Sequence, residues 1–321
     1  MKKRIVIIFL LIICFSNLTL ISNDSKNGWS TVDSLVVMGK SAPYNTSFIR
    51  IQCIDTSNCI AFAILGFVST INRVTSDGGN TWITTLFDRT ISDLNYSPPK
   101  LFDVEYKSVD FCIATCDSGY YWLSNNIFND WRKYKLDFDL YYTSFYDTQI
   151  GITMSEEKIC LTKDACQNWE QINVNIEYPD SLQPFKFLDV GFAGINNIIL
   201  LCRNKLGVRF VIKSNDYGET WKIIQSFPLN VERIYFFNDS LGFISGGPKV
   251  NTNVRKDLIY KTTDGGETWR AVLDTIVSPK WGIINVRFCD ELNGIAFGNY
   301  NKLWRTSDGG ETWNLDTTFL N

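Results

Sequence analysis

Histidine is absent from all 321 residues. That absence excludes a Ser-His-Asp triad, a Cys-His dyad, an HExxH zinc site, a CxxCH haem attachment and any His-ligated metal. A basic surplus is also missing: 31 Lys+Arg stand against 34 Asp+Glu, a net charge of −3. Nucleic-acid binding normally needs a concentrated basic footprint, so no nucleic-acid partner is expected. CxxC, GxGxxG, EF-hand and zinc spacings do not occur. Gly39-Lys40-Ser41 ends like a P-loop, but the glycine required five residues earlier is Ser34. The residues require no cofactor and no metal. What remains is an ordinary globular balance of 45% apolar, 14% aromatic and 20% charged residues, which argues against disorder and against a polytopic membrane protein.

Lys2-Lys3-Arg4 followed by the apolar run Ile5–Ile13 reads as an export signal over residues 1–22, cleaved near Ser16 or Ser22. Without those three cations the charge is 28 against 34, a net of −6. The other reading is an uncleaved anchor, the one route by which the chain would meet a membrane. Ser16 and Asn17 interrupt the run below the roughly 18–20 residues a span needs. Ile13 stands where a lipoprotein box, Leu11-Ile12-Ile13-Cys14, wants a small residue. The expected location is periplasmic, cell-surface or secreted. Export permits disulfides, and Cys53, Cys59, Cys112, Cys116, Cys160, Cys166, Cys202 and Cys289 remain after cleavage. Cys53/Cys59 and Cys160/Cys166 each bracket a probable turn and could close. Cys112 and Cys116, on one strand, would stand too far apart to bond. Buried free thiols are the alternative for all eight.

One octapeptide recurs. Thr75-Ser-Asp-Gly-Gly-Asn-Thr-Trp82, Ser214-Asn-Asp-Tyr-Gly-Glu-Thr-Trp221, Thr262-Thr-Asp-Gly-Gly-Glu-Thr-Trp269 and Thr306-Ser-Asp-Gly-Gly-Glu-Thr-Trp313 share [ST]-x-D-x-G-x-T-W. Worn copies are Ser124-Asn-Asn-Ile-Phe-Asn-Asp-Trp131 and Thr162-Lys-Asp-Ala-Cys-Gln-Asn-Trp169. The third positions, Asp77, Asn126, Asp164, Asp216, Asp264 and Asp308, are 49, 38, 52, 48 and 44 residues apart, a period that suits propeller blades. Each unit holds four short strand-like runs punctuated by Gly, Asn or Asp. The octapeptide falls at the turn between the third and fourth runs, where a short carboxylate can accept backbone N–H bonds and glycine can take positive φ. The tryptophans Trp82, Trp131, Trp169, Trp221, Trp269 and Trp313 then start the fourth strands and pack into the blades. All twelve residues are read as turn locks, because copies spread around a rim cannot share one active site.

This pattern resembles the Asp-box, or BNR repeat, of bacterial sialidases, sortilin-type receptors and the photosystem II assembly and stability factors. The resemblance covers residues 29–321. A signal sequence, a leading strand Gly28-Trp29-Ser-Thr-Val32 and then only repeat units make the chain most similar to the photosystem II assembly factors. It implies an all-β protein, a single propeller of four-stranded antiparallel blades over residues 23–321, with units ending near 87, 136, 174, 226, 274 and 317. Six blades are expected, with Trp29–Val36 as an extra strand on a blade edge; seven is the alternative. The function implied is a non-catalytic protein-binding or assembly scaffold, and photosystem II assembly itself where the host is photosynthetic.

The sialidase resemblance offers an enzyme alternative, built on three arginines that clamp a carboxylate and a Tyr-Glu nucleophile. Arg50, Arg233 and Arg287 fall on predicted innermost strands, and Phe48-Ile49-Arg50-Ile51 is similar to the sialidase F-R-I-P element with Ile49 inserted and the proline lost. Glu105 and Tyr142 also lie on inner strands. The other reading of these residues is a water-filled polar channel. For binding, the uneven loops stand out, and they carry Tyr96, Tyr178, Lys249, Arg255, Lys256 and Trp281. Aromatics and arginine dominate binding hot spots, so these six form a candidate recognition face for a protein partner or a glycan.

Overall fold

The computed structural model describes residues 9–10, 19–24, 28–34, 46–53, 55, 57–65, 69–77, 81, 83–86, 101–126, 130–176, 184–227, 230–247, 255–277, 282–298 and 303–316. The β-branched and aromatic runs between Gly, Asn and Asp punctuation all become strands. The helical content among the described residues is one short 3-10 turn, Asp117–Gly119. The chain divides into two compact units, residues 1–143 and 144–321.

In the first unit β1 (Phe9–Leu10), β2 (Thr19–Asp24) and β3 (Gly28–Ser34) make a three-stranded sheet. Among the described residues the leading Trp29 strand therefore pairs with β2, which begins inside the segment read as a leader and runs two residues past it, and not with a blade edge. Two four-stranded sheets follow: β4 (Thr46–Cys53), β5 (Cys59–Leu65), β6 (Ser69–Thr75) and β7 (Ile83–Leu86), then β8 (Leu101–Ser108), β9 (Phe111–Cys116), β10 (Tyr120–Asn126) and β11 (Asp130–Lys135).

The second unit holds four more. The first is β12 (Tyr142–Phe145, begun on the last residues of the preceding unit), β13 (Gly151–Met154), β14 (Ile159–Thr162) and β15 (Glu170–Gln171). Next come β16 (Phe185–Phe192), β17 (Ile198–Asn204), β18 (Arg209–Ser214) and β19 (Lys222–Phe227), then β20 (Val231–Phe236), β21 (Gly242–Gly246), β22 (Arg255–Thr262) and β23 (Arg270–Val277). The last sheet is β24 (Ile283–Phe288), β25 (Gly294–Gly298), β26 (Leu303–Thr306) and β27 (Asn314–Asp316). Every four-stranded sheet is an antiparallel meander in chain order, numbered one to six below.

Within each unit, cores lie between consecutive sheets. Ile199, Leu201 and Val211 of sheet four pack with Ile234, Ile244, Leu258 and Trp269 of sheet five. Phe243 and Ile259 of sheet five pack with Val286, Ala296, Trp304 and Trp313 of sheet six. In the first unit Ile60 and Val74 of sheet one join Val104, Tyr106 and Trp122 of sheet two. A sheet buried on both faces needs apolar residues on both. That is why β9 and β13 are buried along their whole length.

Candidate functional site

The octapeptide turn closes on its aspartate. The Ser214 hydroxyl donates to Asp216 Oδ1 (2.7 Å), as does the Thr220 N–H (2.9 Å), while the Thr220 hydroxyl donates to Oδ2. Ser214 Oγ accepts the N–H groups of Asp216 (3.3 Å) and Gly218 (2.8 Å). Asp264 and Asp308 repeat this set. Asp164 keeps it with the Asn168 amide in place of a threonine hydroxyl, and Asp77 is held by Thr75 and Thr81. Trp82 lies outside the described residues. At Asn126 the N–H donates to Ser124 Oγ (3.2 Å), as the aspartate N–H does in the other copies, and β10 continues to this residue, which pairs with Asp130; residues 127–129 lie outside the described residues.

These donors favour the ionised carboxylate. The Thr312 hydroxyl and N–H draw Asp308 down to about 2. At Asp264 burial pushes upward, but the Thr268 hydroxyl and N–H outweigh it and leave the carboxyl at about 2. Asp164 is lowered first by the Asn168 N–H and Asp216 first by the Thr220 hydroxyl. The oxygens thus face their own turns. Among the described residues no group of three or more His, Cys, Asp or Glu is placed to hold a metal ion.

The fourth and fifth turn positions are left-handed in four units, at Ala165/Cys166, Tyr217/Gly218, Gly265/Gly266 and Gly309/Gly310. Trp221 and Trp269 donate Nε1–H to the carbonyls of Gly218 (2.9 Å) and Gly266 (3.2 Å). Trp269, 6% exposed, meets Phe236 edge-on at 5.9 Å between ring centres and packs with Ile199 of sheet four. It fills the layer between its own sheet and the one before. Trp313 does likewise against Phe243 and Phe288, Trp169 packs on Phe145, and Trp131 lies half-buried against the core of sheets one and two. Each of these tryptophans except Trp131 precedes the fourth strand, which opens one residue later.

A second linkage escaped the sequence reading. Lys213 and Lys261, each 5% exposed, stand immediately before the octapeptides of units four and five. Lys213 Nζ reaches Glu267 in the turn of the next unit (2.7 Å), and Lys222, just after Trp221, reaches the same carboxylate (2.9 Å). Lys261 (2.6 Å) and Arg270 reach Glu311 in the same way. The signal is [KR]-[ST]-x-D-x-G-E-T-W-[KR]: the flanking cations of one copy meet the glutamate of the following copy. Arg305, at the matching place in unit six, pairs instead with Asp316 of its own sheet (2.6 Å).

First strands carry the other polar residues. A bulge at one place in five sheets aligns Arg50, Asp103, Asp189, Arg233 and Asn285. Buried Asp103 accepts the N–H of Val104 (2.9 Å) and that of Thr143 on the next first strand (3.0 Å). Asp189 does the same with Val190 (3.0 Å) and Ile234 (2.9 Å). The twin tripeptides Phe102-Asp103-Val104 and Leu188-Asp189-Val190 are the sequence signal for these bridges. Arg287 lies two residues past the aligned position. Its guanidinium sits 4.8 Å over the Tyr235 ring and donates to Asn285 Oδ1 and to the Val286 carbonyl (2.8 Å). Arg233 donates to the Glu232 carbonyl (2.9 Å). Glu105 pairs with Lys107 (3.0 Å), and the Arg50 side chain lies outside the described residues.

Of the candidate recognition face, Tyr96, Tyr178, Lys249 and Trp281 lie outside the described residues, as does the Arg255 side chain. Lys256 is half-buried and pairs with Asp274 (2.7 Å). The backbones of Gly247 and Gly282 touch, and a Cβ on either would overlap the other's Cα. Among the described residues no helix is long and apolar enough to cross a membrane.

Among solved structures, the chain is similar to YCF48 bound to a D1 peptide, with a TM-score of 0.59 and 15% identity over 88% of each chain. It is also similar to YCF48 from Cyanidioschyzon merolae, with a TM-score of 0.57 and 15% identity over 88% of each chain. No family model matches the chain, and no curated protein matches it in sequence. In fold, this protein resembles the photosystem II assembly-factor propeller.

Proposed function

We propose that the chain is an exported six-bladed β-propeller that acts without catalysis and holds an extended segment of a partner protein. The observation that carries this reading is the fold it shares with a protein solved with a peptide bound. The six meanders supply one blade each, the five octapeptides that carry an aspartate lock their turns, and residues 1–22 act as a leader cleaved near Ser16 or Ser22 into the periplasm or beyond. The peptide-binding surface is assigned to the first-strand polar set, Arg50, Arg233 and Arg287, together with the loop face that carries Tyr96, Tyr178, Lys249, Arg255, Lys256 and Trp281. Arg287 sits over the Tyr235 ring, and a guanidinium suits a planar carboxylate or backbone carbonyl. In a photosynthetic host the same reading becomes photosystem II assembly.

The test is a pull-down of the mature protein from its own envelope extract, with a fluorogenic sialoside and glycoside screen on the same preparation. A stoichiometric protein partner that is lost with Arg233→Ala/Arg287→Ala, and no turnover, supports the scaffold. Turnover abolished by Arg50→Ala would overturn it in favour of a sialidase-like hydrolase.

A further inference from the structure

The outermost strand of sheet two differs from every other fourth strand. β11 carries Arg132, Lys133 and Lys135 within four residues, all exposed. The fourth strands of sheets four and five, β19 and β23, have one cation each, and those of sheets one, three and six, β7, β15 and β27, have none. Register places Lys133 opposite Trp122 and Lys135 opposite Tyr120 on one face. Both ammonium groups gather on one ring: Lys133 Nζ is 4.2 Å and Lys135 Nζ 4.9 Å from the Tyr120 centroid, and Lys133 is 5.3 Å from Trp122. On the other face Tyr134, 40% exposed, stacks on Tyr121 at 5.3 Å beside Arg132. The Tyr120 and Trp122 rings thus hold two ammonium groups side by side on one face, with Arg132 on the other, on a chain whose net charge is negative.

β11 ends its sheet, and β10 is the strand registered against it. An edge strand offers backbone N–H and C=O groups to an added strand. We infer that β11 is a docking edge for an acidic, extended peptide segment, with carboxylates at alternate positions facing Lys133 and Lys135. A second copy of this chain suits the edge less than an acidic strand, because full antiparallel overlap of two β11 strands sets Arg132 opposite Lys133 at its centre. A membrane surface needs exposed apolar side chains to enter it, whereas here Trp122 is buried beneath Lys133. The inference stands apart from the first-strand arginines and from the loop face.

The test is a fluorescence-anisotropy titration of the whole protein with a short labelled peptide that alternates glutamate and valine. Parallel arms use the same peptide with lysine for glutamate, the glutamate peptide N-methylated at alternate backbone nitrogens, and vesicles rich in anionic phospholipid. The glutamate peptide should bind, lose about tenfold or more in affinity against Lys133→Gln/Lys135→Gln, and weaken with salt. The lysine and N-methylated peptides should not bind. No binding of the glutamate peptide, binding indifferent to the lysine changes or to N-methylation, or vesicle binding that the peptide does not displace would each overturn the inference. Arg233→Ala/Arg287→Ala should leave this binding unchanged, which separates its failure from that of the proposed partner site.

Discussion

Ala165 occupies a left-handed position, φ 54, that Gly265 and Gly309 fill in the later units. An L-residue there costs roughly 1–2 kcal/mol, so Ala165→Gly is expected to stabilise the protein by about 0.5–1 kcal/mol after the extra freedom of the unfolded chain is counted. Gly309→Ala should do the reverse, because its Cβ would meet the Glu291 carbonyl at 3.0 Å. Urea denaturation of both variants checks the pair, and equal midpoints would contradict the account. Asp308 titrates at about 2, below its ordinary 3.8. Its contribution is in place above the ordinary value and fades as pH falls through about 2. Asp308→Asn should therefore melt below the parent protein at neutral pH, and the difference should close between about pH 4 and pH 2. A gap that persists at pH 2 would show that the carboxylate charge is not what locks the turn.

Between sheets, the tryptophan and the glutamate of each full turn do different work. Trp269→Ala removes a buried ring shared by sheets four and five and should cost about 3–5 kcal/mol; a loss under about 1 kcal/mol would refute its anchoring role. Glu267→Gln leaves the buried Lys213 ammonium without its carboxylate, and with the glutamate side half-exposed the cost should be about 1–2 kcal/mol. Glu219, whose preceding unit offers Leu161 and Glu170 in place of cations, serves as the control and should stay within about 0.5 kcal/mol. The repeats were legible in the sequence because a left-handed turn closed on an aspartate tolerates few residue types. The glutamate linkage was not, since its partners lie up to 54 residues away and the sixth octapeptide position varies among Asn, Gln and Glu. The bridges from Asp103 and Asp189 were equally hidden, because a carboxylate inside a strand run reads as a solvent-facing residue until its neighbouring strand is known. The loop candidates rest on residue type alone, as irregular segments have no periodicity to place them.

For the molecule entire, the thiols bear on the export reading. Cys112, Cys116, Cys160, Cys166, Cys202 and Cys289 form no disulfide, so the possible Cys160/Cys166 closure is not formed, and Cys53 and Cys59 stand directly opposite across β4 and β5. Burial pushes Cys112, Cys116, Cys166 and Cys202 well up and Cys289 to about 12. Alkylation of the native protein followed by peptide mass spectrometry should leave these six unlabelled, with labelling only after denaturation. Rapid native labelling of Cys112 or Cys202 would contradict the packing between sheets. The glutamate linkage, finally, has a direction: unit five takes cations from unit four and gives its own to unit six. Such a piece is a tandem cassette. A gene duplication of unit five would hand each new copy matching charges on either side, so this linkage would be inherited ready-made and only the closure of the ring would remain to be adjusted.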